Sequence, residues 1–237
     1  MPVNRFFYEG DLNAEQIISI MDAEHHHLAH VTKNRVGDQV EIINGCGFLA
    51  LAKIIEIERR SASLLIQKVE KNIKEDIELI LAQAIVRMNR LDTIIEKATE
   101  LGATSIWLFP AQESERETIL DSQIQRLRTV AISAVKQCAR LYLPEILLYP
   151  PISKWKKQEG SLFFGDMEKE APPLWKEQCS GHKKIFVTGP ESGLTAQEIH
   201  HLRLIGGKGV SLHKNILRTD TASIAALTLL SHKTLCK

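Results

Sequence analysis

Lys184-Ile185-Phe186-Val187-Thr188-Gly189-Pro190-Glu191-Ser192-Gly193 is the stretch on which the reading of this chain turns. Lys184–Thr188 has the composition of a strand. The glycines and the proline that follow force a tight loop whose backbone amides can approach a ligand closely. About one β-α-β unit further on, Ile216-Leu217-Arg218-Thr219-Asp220-Thr221-Ala222 opens the last helix. Both loops stand at the carboxyl end of an expected strand, where open α/β sheets bind ligands, and two such neighbours can close over one small molecule. No Lys follows the second glycine as in a phosphate-binding loop, and no Gly-x-Gly-x-x-Gly follows the first strand of the domain. The pair points to a cofactor site of a less common kind, the alternative being two ordinary turns.

Working outward, strand and helix alternate from residue 77 onward. Ile77–Val86 is a nearly continuous apolar run, as expected of a strand buried on both faces. Leu91, Ile94, Ile95, Ala98 and Leu101 recur at helical spacing, and Gly102 ends that helix. Thr104–Phe109 is the next strand, and Ile124–Leu141 a helix closed by Pro144. Leu162–Gly165 and Lys184–Thr188 are further strands; Thr195–Leu204 and Thr219–Lys233 are further helices. Gly206-Gly207-Lys208-Gly209 reads as a turn. This half is α/β with a mainly parallel sheet.

The first seventy residues have a different texture. Asn4–Glu9 is extended, and Asp22 can cap a helical turn carrying His25, His26, His27 and Leu28. Gly37-Asp38 marks a turn before Gln39–Ile43, and Asn44-Gly45 is a hairpin signal. Phe48–Glu58 and Ser61–Glu70 alternate apolar and polar residues. Short strands separated by turns suggest a small barrel over residues 1–72, joined by the polar Lys71–Asp76 to a second domain over 73–237.

The chain has 237 residues and a net charge of +1. Residues 1–72 hold 8 Lys and Arg against 10 Asp and Glu, and the remainder 22 against 19, so an RNA site has to be a local patch. No apolar run has the length of a membrane span, and the amino terminus does not resemble a signal peptide, so the expected compartment is the cytoplasm. Cys46, Cys138, Cys179 and Cys236 are scattered and read as free thiols.

Arg218 precedes a helix that Thr219 can cap; a cation beside a helix amino terminus is unfavourable unless an anion or a developing negative charge offsets it. The alternative is a surface ion pair with Asp220 or Glu191. Arg126 and Arg140 are close to four helical turns apart and so share a face; with Arg116 they can form a phosphate-contacting patch, or simply a solvated helix face. His25-His26-His27 does not read as a metal site, because consecutive helical residues point in different directions. His200-His201 reads as surface, and no metal is expected.

Thr188-Gly189-Pro190-Glu191-Ser192-Gly193-Leu194-Thr195-Ala196-Gln197-Glu198-Ile199, then Ser211-Leu212 and Ile216–Ala222, resembles the bacterial 16S rRNA uridine-N3 methyltransferases (RsmE type) of the SPOUT superfamily. The likeness runs through the whole chain. His27-Leu28 and Gly37-Asp38 match the amino-terminal domain of that family; Glu96–Gly102, Ser114-Glu115-Arg116 and Gln137-Cys138-Ala139-Arg140 match its middle.

The resemblance implies a PUA-like β-barrel that binds RNA, followed by a SPOUT α/β domain with a deep trefoil knot, working as a homodimer. It implies S-adenosyl-L-methionine bound in a bent form by the knot loops, here Thr188, Gly189, Pro190, Gly193, Ser211, Leu212, Ile216 and Leu217, and small-subunit rRNA as partner. Arg218 is then expected to stabilise charge on the uracil, with Arg140 as a second cation and Glu191 or Asp220 as base. Arg5, Arg116, Arg126 and Arg140 are the expected RNA contacts. The apolar Ile224–Leu230 suggests a dimer face, the alternative being packing on the chain's own sheet.

The chain departs from the family at Ser192 and His213, where Gly is usual, and at Asn215, where Arg is usual. Lys136 and Asp220 each stand where Glu is usual. Ser192 is harmless at a negative φ and costly at a positive one, and a side chain at 213 can intrude on the cofactor pocket. Ser192, His213 and Asn215 motivate the rival reading of an rRNA-binding or assembly protein on the same scaffold. A SPOUT enzyme with another RNA target is the nearer alternative.

Overall fold

The computed structural model describes residues 4–74, 76–168 and 170–235, with side chains to His232. The chain forms two compact units: residues up to Lys74 with Ile132–Leu143, and the segments from Glu75 to Ala131 and from Pro144 onward. The second visit of the chain to the first unit was not foreseen from a boundary at residue 72.

In the first unit, β1 (Arg5–Phe7), β2 (Ile17–Met21), β3 (Gln39–Ile43), β4 (Phe48–Ile57) and β5 (Ser61–Lys71) form one sheet in the order β1-β3-β4-β5-β2. β1 runs parallel to β3, and the other pairings are antiparallel. The edges β1 and β2 do not pair, so the sheet is a curled half-barrel and not the closed barrel expected. β2 escaped the sequence reading because Ile-Ile-Ser-Ile-Met is apolar on both faces: Ile18 and Ile20 are buried, yet Ile17 and Met21 are exposed. Alternate residues of β3, β4 and β5 enclose a core with Phe6, Leu28, Ile42, Ile54, Leu64 and Ile66 fully buried.

Helix α1 (Asp22–His26), continued by a π-helical turn over His27–Val31, is not capped by Asp22; that residue is itself at φ +49° and Met21 holds the cap position. The β3–β4 hairpin forms at Asn44-Gly45, with the Asn44 side-chain carbonyl accepting from the Cys46 amide at 3.0 Å. Gly45 and Gly47 take φ of +73° and +90°, and a Cβ on Gly47 would stand 2.2 Å from the Tyr142 hydroxyl. The returning segment buries Val135 against Phe7 and Ile43. Lys136, at a position where the resemblance leads one to expect Glu, places Nζ 2.5 Å from Glu24 Oε1 in a local ion pair.

The second unit contains β6 (Glu78–Ala84), α2 (Met88–Glu100), β7 (Ser105–Phe109), the first part of α3 (Asp121–Cys138), β8 (Glu145–Leu148), β9 (Ser161–Gly165), β10 (Lys183–Thr188), α4 (Ala196–Leu204), β11 (Lys208–Val210) and α5 (Thr219–Leu235). Among the described residues its six strands are all parallel, in the order β11-β9-β10-β6-β7-β8. β7 is buried along its whole length, as a central strand covered on both faces must be. Helix α3 stops at Cys138, where Ala139 turns to φ +66°, well before Pro144. The residues after Pro144 form β8, and Lys208–Val210, read as a turn, is an edge strand. Three- and four-residue strands carry too little periodicity to be read.

This order puts the carboxyl ends of β11, β9 and β10 side by side, so the loops that follow them are neighbours although they lie decades of residues apart. Helix α5 packs on β6, β10 and α2, burying Ala226, Leu227 and Leu230. Packing on the chain's own sheet thus accounts for much of its apolar surface, and Ile224, Ala225 and Leu229 are left half-buried.

Candidate active site

The loops after β9, β10 and β11 enclose a cavity of about 750 Å³. Thr188, Gly189, Pro190, Gly193, Ser211, Leu212, Ile216 and Leu217 all line it, as do Glu191 and Arg218. Sequence reasoning thus found two of its three walls. It missed the third, Gly165–Glu168 after β9, and Arg90 from α2. A carboxylate one residue beyond a parallel strand, as Asp166 is, was the available signal.

A buried polar network underlies the cavity. Gln83 on β6 stands level with Thr188 on β10, and its Nε2 donates to Thr219 Oγ1 at 3.1 Å. Thr219 Oγ1 in turn donates to the Gly189 carbonyl at 2.8 Å. Ser223 Oγ lies 2.7 Å from Gln83 Oε1 and 3.0 Å from Thr188 Oγ1. Thr219, expected to cap α5, is its first residue, and its side chain joins the start of that helix to the loop after β10. Each of these four side chains is buried, and each finds partners, as buried polar groups must.

The loop after β10 is also held from outside. Ser192 Oγ donates to the Glu113 carbonyl at 3.0 Å. The positive φ of this turn, +88°, falls on Gly193, and Ser192 is not among the residues with positive φ. The Gly-to-Ser departure therefore adds a tether without backbone strain. Thr195 and Glu198 form a capping box at α4, and the buried Glu198 carboxylate accepts from the amides of Thr195 at 2.9 Å and Gln112 at 3.0 Å. Gly189 packs so tightly under Leu194 that a Cβ there would meet Leu194 Cγ at 3.0 Å.

His213 lines the cavity, and its Nδ1 accepts from the Asn215 amide at 3.0 Å. That bond orients the ring within its own loop. Asn215, Ile216 and Arg218 are exposed, Ile216 at 85%.

Among the described residues the acidic groups at the cavity are paired, and two of its cations, Lys214 and Arg218, are not. Arg203 holds Asp166 at 2.9 Å and Glu168 at 3.2 Å, and those hydrogen bonds, Glu168 first, raise its guanidinium above the ordinary value. Arg90 Nε stands 3.1 Å from Glu191 Oε1, and its Nη1 3.6 Å from Asp220 Oδ2. Both carboxylates that sequence offered as a base, or as a partner for Arg218, are thus on Arg90. The Arg218 side chain itself has no ion-pair or hydrogen-bond partner among the described residues. Nearby in sequence to Arg90, Arg87 grips Glu115 through two hydrogen bonds of 2.8 Å, which hold the Glu115 carboxyl below its usual range.

The expected RNA contacts are divided between the two units, Arg5 and Arg140 in the first and Arg116 and Arg126 in the second. Arg5 is buried on Glu41, with Nε and Nη2 at 2.9 and 2.6 Å from Oε2. Arg126 is paired with Asp92. Arg140 lies beyond the end of α3, past the left-handed Ala139, so it does not share a helical face with Arg126; it belongs to the first unit and does not line the cavity. Arg116 is exposed in the loop before α3. His25 is buried with Nε2 3.0 Å from the Glu58 carbonyl, and the half-buried His201 bonds the Trp155 carbonyl, which corrects its reading as a surface residue. Cys46, Cys138 and Cys179 are free thiols; Cys236 lies outside the described residues.

Comparison with known proteins places these observations in a family. Residues 73–231 match the family model described as RNA methyltransferase domain, and residues 20–67 that described as RNA methyltransferase PUA domain. The chain is similar to the ribosomal RNA small subunit methyltransferase E of Buchnera aphidicola, with 26% identity over 96% of this chain and 92% of that one. It is likewise 26% identical to the crystal structure of a ribosomal RNA small subunit methyltransferase E from Neisseria gonorrhoeae bound to S-adenosyl methionine, covering 98% of each chain at a TM-score of 0.85. A methyltransferase of Legionella pneumophila, also solved with its cofactor, shares the fold at a TM-score of 0.89 and 22% identity over 98% of both chains.

Proposed function

The chain belongs to the RNA methyltransferase domain family, and from that premise we propose that it uses S-adenosyl-L-methionine to methylate N3 of a uridine in small-subunit rRNA. One observation carries the reading: the cavity is built from three backbone-rich loops at adjacent strand ends and has an unpaired arginine, Arg218, on its lining. Its size suits a cofactor of this class. The close packing at Gly189 and the positive φ of Gly193 present main-chain groups to a ligand, as an adenosine held by backbone contacts requires.

S-adenosyl-L-methionine supplies a methyl carbon already activated on its sulfonium, so the protein has chiefly to align an in-line attack. Uridine N3 bears a proton whose pKa lies above neutrality, and the attacking form is the uracil anion. Arg218 stabilises that anion as its charge develops. Glu191, expected as a base, is engaged by Arg90, and the proton leaves to solvent at the exposed face of the site. Thr219 and Gln83 hold the loop after β10 in register with the start of α5. Arg116 and Arg140 contact the RNA backbone in this reading, and the half-barrel contributes to RNA binding.

With the resemblance, the reading includes a deep trefoil knot whose loops hold the cofactor and a cytoplasmic homodimer formed through the second unit. Among the described residues no helix is long and apolar enough to cross a membrane, and the half-buried Ile224, Ala225 and Leu229 offer a dimer surface. Sedimentation at micromolar concentration that gives only the monomer mass removes the dimer. The binding-only reading loses its motive at Ser192, which fits its turn without strain. Mass spectrometry of rRNA from cells with and without the gene tests the function: loss of one 3-methyluridine is expected, and an unchanged modification profile refutes it.

A further inference from the structure

Arg90 lies in the first turn of α2, with its side chain 24% exposed, and lines the cavity. Its guanidinium reaches two carboxylates from separate elements: Glu191 in the loop after β10, and Asp220 in the first turn of α5. Asp220 stands two residues from Arg218, and Glu191 lines the same cavity as Arg218. A carboxylate released from its partner in the same site is free to pair with a guanidinium that reaches it. Arg218 also stands at the positive end of a helix dipole, which adds to the attraction of any nearby anion. Yet the two acidic groups are collected on Arg90, and Arg218 has no partner among the described residues.

We propose that Arg90 is a positioning residue for methyl transfer: it sequesters Glu191 and Asp220, and so keeps the Arg218 guanidinium free for the uracil anion. The proposal rests on the role of Arg218 given above. A guanidinium already bound to a carboxylate has to break that pair before it can meet the anion. The resulting loss appears in the rate of the chemical step and leaves cofactor binding nearly unchanged.

The test compares wild type, Arg90→Ala, and Arg90→Ala carrying Glu191→Gln and Asp220→Asn, with thermal melting to confirm folding and Arg90→Gln in place of Arg90→Ala if the latter does not fold. The first readout is independent of activity: labelling of Arg218 by an arginine-directed dicarbonyl, followed by peptide mass spectrometry. Arg218 is expected to label readily in wild type, several-fold more slowly in Arg90→Ala, and at the wild-type rate in the combined variant. The second readout is single-turnover methylation of rRNA. Here Arg90→Ala is expected to lose roughly tenfold or more in rate, with cofactor affinity within about twofold, and the combined variant to regain most of the loss. Unchanged Arg218 labelling in Arg90→Ala overturns the proposal, as does a rate loss that the combined variant does not restore, since a merely structural arginine would give that pattern. Wild-type protein that transfers no methyl group overturns the proposed function instead, and the labelling comparison still decides whether Arg90 shields Arg218.

Discussion

The two loops that face each other across the cavity are built on opposite plans. The loop after β10 is tied at nearly every polar residue: Ser192 to the Glu113 carbonyl, Thr195 to the buried Glu198, which also holds the Gln112 amide of the loop after β7, Glu191 to Arg90, and the Gly189 carbonyl to Thr219. The loop after β11 is open. Its backbone is anchored at Ser211, which bonds Pro172 and Leu174; beyond that its side-chain bonds are internal, from the Asn215 amide to His213 Nδ1 and from Ser211 Oγ to the His213 carbonyl, and the side chains from His213 to Ile216 and of Arg218 are exposed. The difference separates two tasks. A tied loop gives a pre-organised floor whose backbone geometry does not have to be set by the ligand. An open loop with few buried contacts sits at the low-stability end of the fold and can close over what binds.

The comparison breaks most visibly at Arg218. If the open loop supplies the charge that meets the reacting base, Arg218→Ala lowers single-turnover methylation by roughly 10²–10³-fold, equivalent to about 2.7–4 kcal/mol, while cofactor affinity and melting temperature barely move. Near-normal turnover would show the arginine to be a surface residue. On the tied side the expected loss is in stability. Glu198→Ala leaves the amides of Thr195 and Gln112 without their carboxylate, and urea unfolding should give a loss of about 2–3 kcal/mol. A variant as stable as wild type would mean that these bonds do not hold the floor. The smallest effect sharpens the contrast. Ile216 is exposed in the free chain, so Ile216→Ala should shift stability by no more than about 0.5 kcal/mol. If the loop closes over the cofactor and buries this side chain, calorimetric titration should nonetheless read a loss of about 1–2 kcal/mol, near tenfold in affinity. Equal affinity in the two proteins would leave the loop after β11 without a part in holding the cofactor.

Much of this was legible in one dimension, for definite reasons. β6, β7 and β10 are buried on both faces and read as apolar runs; α2 buries Leu91, Ile94, Ile95 and Ala98 at helical spacing. The hairpin at Asn44-Gly45 is written in residues that tolerate positive φ. The loops after β10 and β11 announced themselves because a glycine-rich turn at a strand end is local chemistry. What escaped lay in elements too short to carry a period, β8 and β11, or apolar on both sides, β2. Arg5 and Arg126 look like free cations in the sequence and are spoken for by Glu41 and Asp92, partners that stand 36 and 34 residues away.

The sequence by itself determined the α/β alternation, the two site loops and the residues that line them, because strand burial, helical spacing and turn chemistry act between near neighbours. Tertiary structure alone decided which strands would stand together, that Asp166 and Arg90 would join the site, and that Glu191 and Asp220 would face Arg90 and leave Arg218 unpaired. Those outcomes depend on strand order in the sheet and on distances of about 3 Å between groups more than a hundred residues apart. Coulomb attraction and hydrogen bonding select among partners only once the fold has brought them within reach.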